Sequence, residues 1–423
     1  MGFPFRTLVL RTCLALSAAA LLGGSAVAGS GADPRDHATI TQTHIDRSAF
    51  DGMSLYESDA VAVRGEYAPE QTATNGATAA TNGVQARRLG ATYLKTIQKK
   101  DGGWGAGTWG NADDGAPSDV ATAAIVILAL HRDADGTDIH SEAINKGVRY
   151  VLKAIDDAPR DSARVSTPES TQPQYKLGKL VDTHMAAMML TELAGKLDAD
   201  TNRSMDKGLG QVIAKVQLAQ REDGSFDGDG WAPVLSNSIA ATSLMRARDQ
   251  GVAIDMKVLE KSEAYQAGQV SGDGTFDTST GAGVELYSVA STLRTNSMAK
   301  KREGSVNQAA AERASDASVS RVAADATGLM TGFGSIGGEE MLGYMMISDT
   351  LAEEDDQKAF STWDDKVGAY LVGIQNANGS WAGHHCITST TFTTAAAVMT
   401  LGSGDWAKRQ AALVTDGEGP KKG

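Results

Sequence analysis

One short segment concentrates the residue types that do chemistry: Gly383-His384-His385-Cys386-Ile387-Thr388. Two imidazoles and a thiol stand side by side, donors that suit zinc. The chain has only one other cysteine, Cys13. Cys13 falls in an N-terminal stretch that reads as a cleaved signal, so Cys386 is the lone thiol of the expected mature chain and no intrachain disulfide is available to it. The apolar run Thr393–Leu401 follows directly, which places the segment at the start of a buried helix. A helix N-terminus favours the thiolate that binds metal. Consecutive helical residues point about 100° apart, so His385 and Cys386 would face different ways if both were helical.

Polar residues recur wherever an apolar helical run begins. In order they are Asp119; Asp182 and His184; Ser236 and Asn237; Glu285; Glu339 and Glu340; then His384, His385, Cys386 and Thr388. If these helices run the same way side by side, their starts meet at one mouth. The expected metal set there is His385 and Cys386 with His184 and Asp182, Glu340 being a further carboxylate and zinc the ion. Capping accounts for Asp119, Ser236 and Asn237 without any site, but it is a poor account of His385 and Cys386. The mouth is acidic, and Lys176 and Lys179 are among its few bases. That counts against a diphosphate and favours a metal ion, a cationic group or a neutral lipid-like ligand.

An internal repeat supplies the elements that position these residues. YLKTIQKKDGGWG (Tyr93–Gly105), VQLAQREDGSFDG (Val216–Gly228) and YLVGIQNANGSWAG (Tyr370–Gly383) share Gln, two residues, Asp or Asn, Gly, one residue, Trp or Phe. AGQVSGDGTFD (Ala267–Asp277) is a fourth copy with one extra residue. The copies fall at about two, one and two periods, so two degenerate units fill the gaps and six result. Each unit has two helices. The first is amphipathic, as in Arg88–Gln98 with Leu89, Tyr93, Leu94 and Ile97 on one face. The second is apolar nearly all round, as in Asp119–Leu130 and Thr393–Leu401, and therefore buried. In the turn, Gln serves unpaired backbone groups at the helix end. Asp-Gly or Asn-Gly supplies the positive-φ turn, and the aromatic packs over the junction.

This Gln and Trp repeat resembles that of the squalene and oxidosqualene cyclases and of the protein prenyltransferase β subunits. The resemblance covers about residues 86–402. It implies an all-α fold, an (α/α)6 toroid of six helical hairpins with buried helices inside and amphipathic ones outside. It does not carry the chemistry of those families. Triterpene cyclases protonate from D-x-D-D, and the nearest string here is Asn111-Ala112-Asp113-Asp114, without the leading Asp. Glu353-Glu354-Asp355-Asp356 lacks the third partner of D-D-x-x-D and reads as a solvated loop. Prenyltransferases hold zinc with Asp-x-Cys and a later His; Asp-x-Cys is missing, and adjacent His and Cys do not match that spacing. The Cys-Gly-Glu-Gln of thioester rings is missing too, since Cys386 is followed by Ile-Thr-Ser. Asp227-Gly-Asp229-Gly has no Glu at the twelfth position of a calcium loop and reads as part of the repeat turn.

The ends differ in character. Residues 1–28 carry Arg6 and Arg11, an apolar stretch and Ala26-Val27-Ala28, the pattern of a signal peptide rather than a membrane span. The expected location is secreted or periplasmic, with no membrane span after cleavage. Losing two arginines and no acid takes the net charge from −13 to −15, which excludes nucleic acid and anionic membrane as natural partners. Residues 29–85 read as an extended arm and low-complexity linker, and 403–423 as a polar tail. The expected function is an exported toroid binding a small hydrophobic or peptide-like ligand in its central cavity, with zinc at one mouth. The alternatives are an enzyme working on an isoprenoid by variant chemistry and a non-catalytic interaction scaffold.

Overall fold

The computed structural model describes residues 80, 82–108, 116–354 and 356–415. The expected signal peptide, nearly all of the expected arm, the string Asn111–Asp114 and residues 416–423 lie outside them. The protein is all-α, with helix over 64% and no strand among the described residues. Two isolated bridges, Thr108 with Thr171 and Val270 with Phe276, are the β pairing described.

Two kinds of helix alternate, as their apolar patterns dictate. Those buried along their length are α2 (Val120–Ala134), α5 (Val181–Leu193), α7 (Pro233–Asp249), α9 (Glu285–Ala299), α12 (Gly338–Ala352) and the first part of α14 (Thr390–Thr415). Those exposed on one side are α1 (Gly83–Thr96), α3 (Ser141–Asp156), α6 (Ala199–Leu218), α8 (Met256–Ala267), α10 (Gln308–Ala324) and α13 (Gln357–Gly373). Two short helices, α4 (Gln172–Leu177) and α11 (Ala326–Met330), complete the set. Among the buried helices, α2 packs on α5, α5 on α7, α7 on α9, α9 on α12, α12 on α14, and α14 on α2. The exposed helices lie against them: α1 on α14, α3 on α2, α6 on α5, α8 and α10 on α9, α13 on α12. No described helix is long and apolar enough to cross a membrane.

The repeated turn is built as its chemistry requires. Gly102, Gly224, Gly274 and Gly379 take φ of 90°, 92°, 86° and 86°, conformations open to glycine. A Cβ on Gly102 would stand 2.6 Å from the Lys146 carbonyl of the next exposed helix, so the turn also has no room for one. Asp101, Asp223, Asp273 and Asn378 accept from the backbone N–H two residues on, at 3.0–3.1 Å. Trp104 and Trp381 are buried, and their indole N–H groups donate to the Leu94 and Leu371 carbonyls at 2.8 Å.

Two boundaries differ from the sequence reading. Helix α14 runs to Thr415, well past residue 402. Its extension is held by Asp405 on Arg87 (2.7 Å), by Arg409 on the Arg132 carbonyl (3.2 Å) and by buried Trp406. The helix also begins later than expected, at Thr390, so His384, His385, Cys386 and Thr388 lie in a loop before it.

Candidate functional site

The loop before α14 is fixed by backbone pairing with the entry to α12. His384 N donates to Ile336 O at 2.8 Å, and Gly338 N donates to Ile387 O at 2.9 Å. Ile387 is fully buried between them. The arrangement puts Cys386 at φ 56°, a left-handed conformation uncommon for a side chain-bearing residue. The Cys386 side chain stays partly exposed.

Around it the start of α12 buries two consecutive carboxylates. Glu340 accepts from Gly337 N at 2.9 Å, from Phe333 N at 3.1 Å and from the Tyr287 hydroxyl, and pairs with His385 Nε2 at 3.3 Å. Burial would raise its pKa, but His385 and these donors outweigh burial and keep it ionised. Glu339 accepts from Ile387 N at 3.2 Å. Burial and the neighbouring Glu340 push it up to about 7. Burial alone would lower His385, yet Glu340 and the Cys386 thiol hold it well above its ordinary value. Burial pushes the Cys386 thiol up to about 11, the Glu339 charge adding to the rise. The expected helix-start thiolate is thus overturned: the thiol is on a loop, and a carboxylate rather than a helix dipole is its strongest electrostatic neighbour.

The short helix α4 joins these groups to the rest of the face. Thr171 and Gln174 form a capping box that starts it. Gln172 Oε1 accepts from Thr388 N at 2.8 Å and Ser389 N at 3.2 Å. Gln174 donates to Asp182 at 2.7 Å. The buried Lys176 ammonium lies 5.3 Å from the Tyr175 ring and 5.0 Å from the Trp231 ring, and its charge is felt by Glu339 and Cys386. Tyr175 is exposed, Trp231 partly so, and Phe333 stacks 5.1 Å from His385. The result is an aromatic rim over buried charge.

The other sequence candidates divide. Asp119 caps α2, accepting from Thr122 N and Ala106 N at 2.8 Å each; burial and the Asp182 charge raise it to about 7. Asp182 accepts from Ala121 N at 2.9 Å, Thr167 and Gln174. Asn237 is a turn brace, accepting from Phe226 N and Asp227 N. His184 bonds Ser236 at 2.7 Å, and burial lowers it to about 3, so it is neutral. Glu285 turns away to Arg321 of α10 at 2.7 Å and leaves the site. His384 is exposed, with its backbone rather than its ring pinned.

No three His, Cys, Asp or Glu side chains among the described residues are grouped as metal ligands. The zinc set of His385, Cys386, His184 and Asp182 is therefore not assembled. Asp182 is taken up by a backbone N–H, a threonine and a glutamine, and His385 Nε2 by Glu340 and the Ser335 carbonyl, while His184 bonds Ser236 through Nδ1 and buries its Nε2 without a hydrogen-bond partner.

Sequence reasoning missed a second buried cluster, near the other ends of the same helices. Arg132 of α2 reaches Asp349 of α12 at 2.5 and 2.9 Å and Glu192 of α5 at 3.2 Å. Glu192 also takes Arg246 of α7 at 2.5 Å and Arg294 of α9 at 3.5 Å, while Ser403 of α14 donates to Asp349 at 2.7 Å. Each of the six buried helices contributes one residue. The signal was present, since five of these are charged residues within buried helices, but their partners stand 54 to 217 residues away in the chain and no local pattern pairs them.

Comparison of the chain with models of known families found no match, and comparison with curated proteins found none either.

Proposed function

We propose that the six hairpins close into an (α/α)6 toroid and that its helix-start face binds a peptide-like ligand outside the membrane. The closed arrangement is supported by the packing order of the buried helices, in which the last lies on the first. The six-fold contribution to the Arg132–Glu192–Asp349 cluster supports it as well. One observation carries the ligand reading. Glu339, Glu340, His385 and Lys176 are desolvated together beneath a partly exposed aromatic rim. Gathering buried ionisable groups at one face, Glu339 and His385 both raised from their ordinary values, is the electrostatic mark of a binding site. Peptide N–H, C=O and ammonium groups match carboxylates and a thiol, and aromatic side chains match Tyr175, Trp231 and Phe333. The thiol, pushed up to about 11, is protonated at neutral pH, so Cys386 serves as a contact here rather than as a nucleophile.

The test uses the full exported chain, a peptide library and Cys386 as reporter. Bound peptide should slow alkylation of Cys386 and shift Trp231 emission, and Trp231→Phe should abolish the second signal alone. Peptides that bind without protecting Cys386 would place the site elsewhere and overturn the reading.

A further inference from the structure

A second groove lies at the first repeat turn, beside Ser118 at the entry to α2. A cavity of 460 Å³ opens between the first repeat turn and helix α3. It is lined by Lys100, Lys146, Arg149 and Lys153, by Asp101 and Asp157, and by Tyr150. Four lining cations against Asp101, Asp157 and the Glu142 that pairs with Lys146 leave a local excess of positive charge on a chain whose net charge is −13. The excess is built by helix periodicity, because Lys146, Arg149 and Lys153 recur at three- and four-residue spacing on one face of α3. Lys146 is paired with Glu142 and Lys153 with Asp157, each at 2.6 Å. The charges of Lys100 and Arg149 are engaged in no ion pair among the described residues. The wall is fixed: the Tyr150 hydroxyl donates to the Ser118 carbonyl at 2.7 Å, which holds its ring in one orientation.

We infer that this groove binds an anionic saccharide, a sugar bearing a sulfate or phosphate ester. The guanidinium of Arg149 and the ammonium of Lys100 match a tetrahedral oxyanion. The anchored Tyr150 ring lines the groove, an aromatic surface that suits a pyranose, and the volume falls within the range of small-molecule pockets. Extended polyanions are disfavoured by the acidic remainder of the surface, so the ligand is short.

The experiment is calorimetry on the full chain at low salt with three probes: a sulfated disaccharide, its desulfated form and inorganic phosphate. The sulfated disaccharide should bind, the desulfated form should not, and phosphate should bind at least tenfold more weakly. A sugar phosphate of the same size distinguishes the two ester sources, and binding by either supports the site. Lys100→Gln with Arg149→Gln should weaken binding tenfold or more, and Asp157→Asn, which frees Lys153, should tighten it. Arg203→Gln with Lys207→Gln, in the separate groove between α3 and α6, should change nothing. Equal binding of the desulfated sugar overturns the oxyanion contact. Phosphate as tight as the disaccharide overturns the saccharide contact. Unchanged affinity in both the double and the Asp157 variants overturns the location.

Discussion

The side-chain amide of Gln375 donates to the backbone carbonyl of Ala86 at 2.9 Å, joining residues 289 apart in the chain. The same amide donates to Gly379 O at 2.8 Å, closing its own turn. Gln98 does the same with Gly102 O and Ala143 O, and Gln220 with Gly224 O and Val258 O. Each glutamine thus ties its turn to the first turn of another exposed helix, the next in the chain for Gln98 and Gln220. For Gln375 that helix is α1, at the other end of the domain. Gln375→Ala should cost about 1–3 kcal/mol, the penalty for leaving such carbonyls unpaired. Urea unfolding checks it, and a loss no larger than for Gln211→Ala, which removes a surface bond to Asp156, would show that the tie is not a stabilising contact.

The turn aromatics should weigh more. Trp104 and Trp381 are 1% and 0% exposed, and each fills the junction beneath its turn. Replacing either by Ala should cost about 3–5 kcal/mol, as large aromatic truncations in cores do. Unchanged thermal melting of either variant would contradict the packing role.

The Arg132 cluster predicts non-additivity. Arg132→Met takes one cation from two buried carboxylates, leaving Glu192 to Arg246 and Arg294 and Asp349 to Arg294 and Ser403, and should cost about 3 kcal/mol. Adding Asp349→Met should recover part of that loss, because the carboxylate that lost its shortest ion pair is removed as well. Double-mutant unfolding measures the coupling, and additive losses would mean that the two residues do not depend on each other.

The turns and buried helices were legible because both write themselves locally. Gln, Asp-Gly and Trp stand within seven residues of one another in Gln98–Trp104, and apolar runs need no partner to be seen. The site was half legible. Asp119, Asp182, His184, Glu339 and Glu340 do sit at helix starts, but their chemistry depends on partners far along the chain. Gln172 meets Thr388 across 216 residues, and no periodicity records that. Helix α4 is six residues long within a polar insertion, too short to leave an amphipathic pattern. The Thr-rich entry to α14 imitates a helix start, and only the pairing with residues 336–338 shows that Cys386 belongs to a loop.

The last prediction follows from the proton on Glu339. In the unfolded chain this carboxyl titrates at its ordinary 4.5, whereas burial and Glu340 raise it to about 7 in the folded protein. Between those values the folded state holds a proton that the unfolded state has released. Stability from this group therefore falls as pH rises from 4.5 to about 7, and is level above that. Glu339→Gln removes the penalty while keeping an oxygen for Ile387 N. The variant should match the parent at pH 5 and exceed it by about 2 kcal/mol at pH 8, part of the full shift being shared with Glu340. Losing the charge also lowers the Cys386 thiol, because the Glu339 carboxylate is second to burial in holding it up. Alkylation of Cys386 at pH 8 should then be several-fold faster in the variant than in the parent. Equal rates with a gain in stability would separate the two residues. A variant less stable at pH 8 than at pH 5, relative to the parent, would reverse the sign and remove Glu339 as the titrating group.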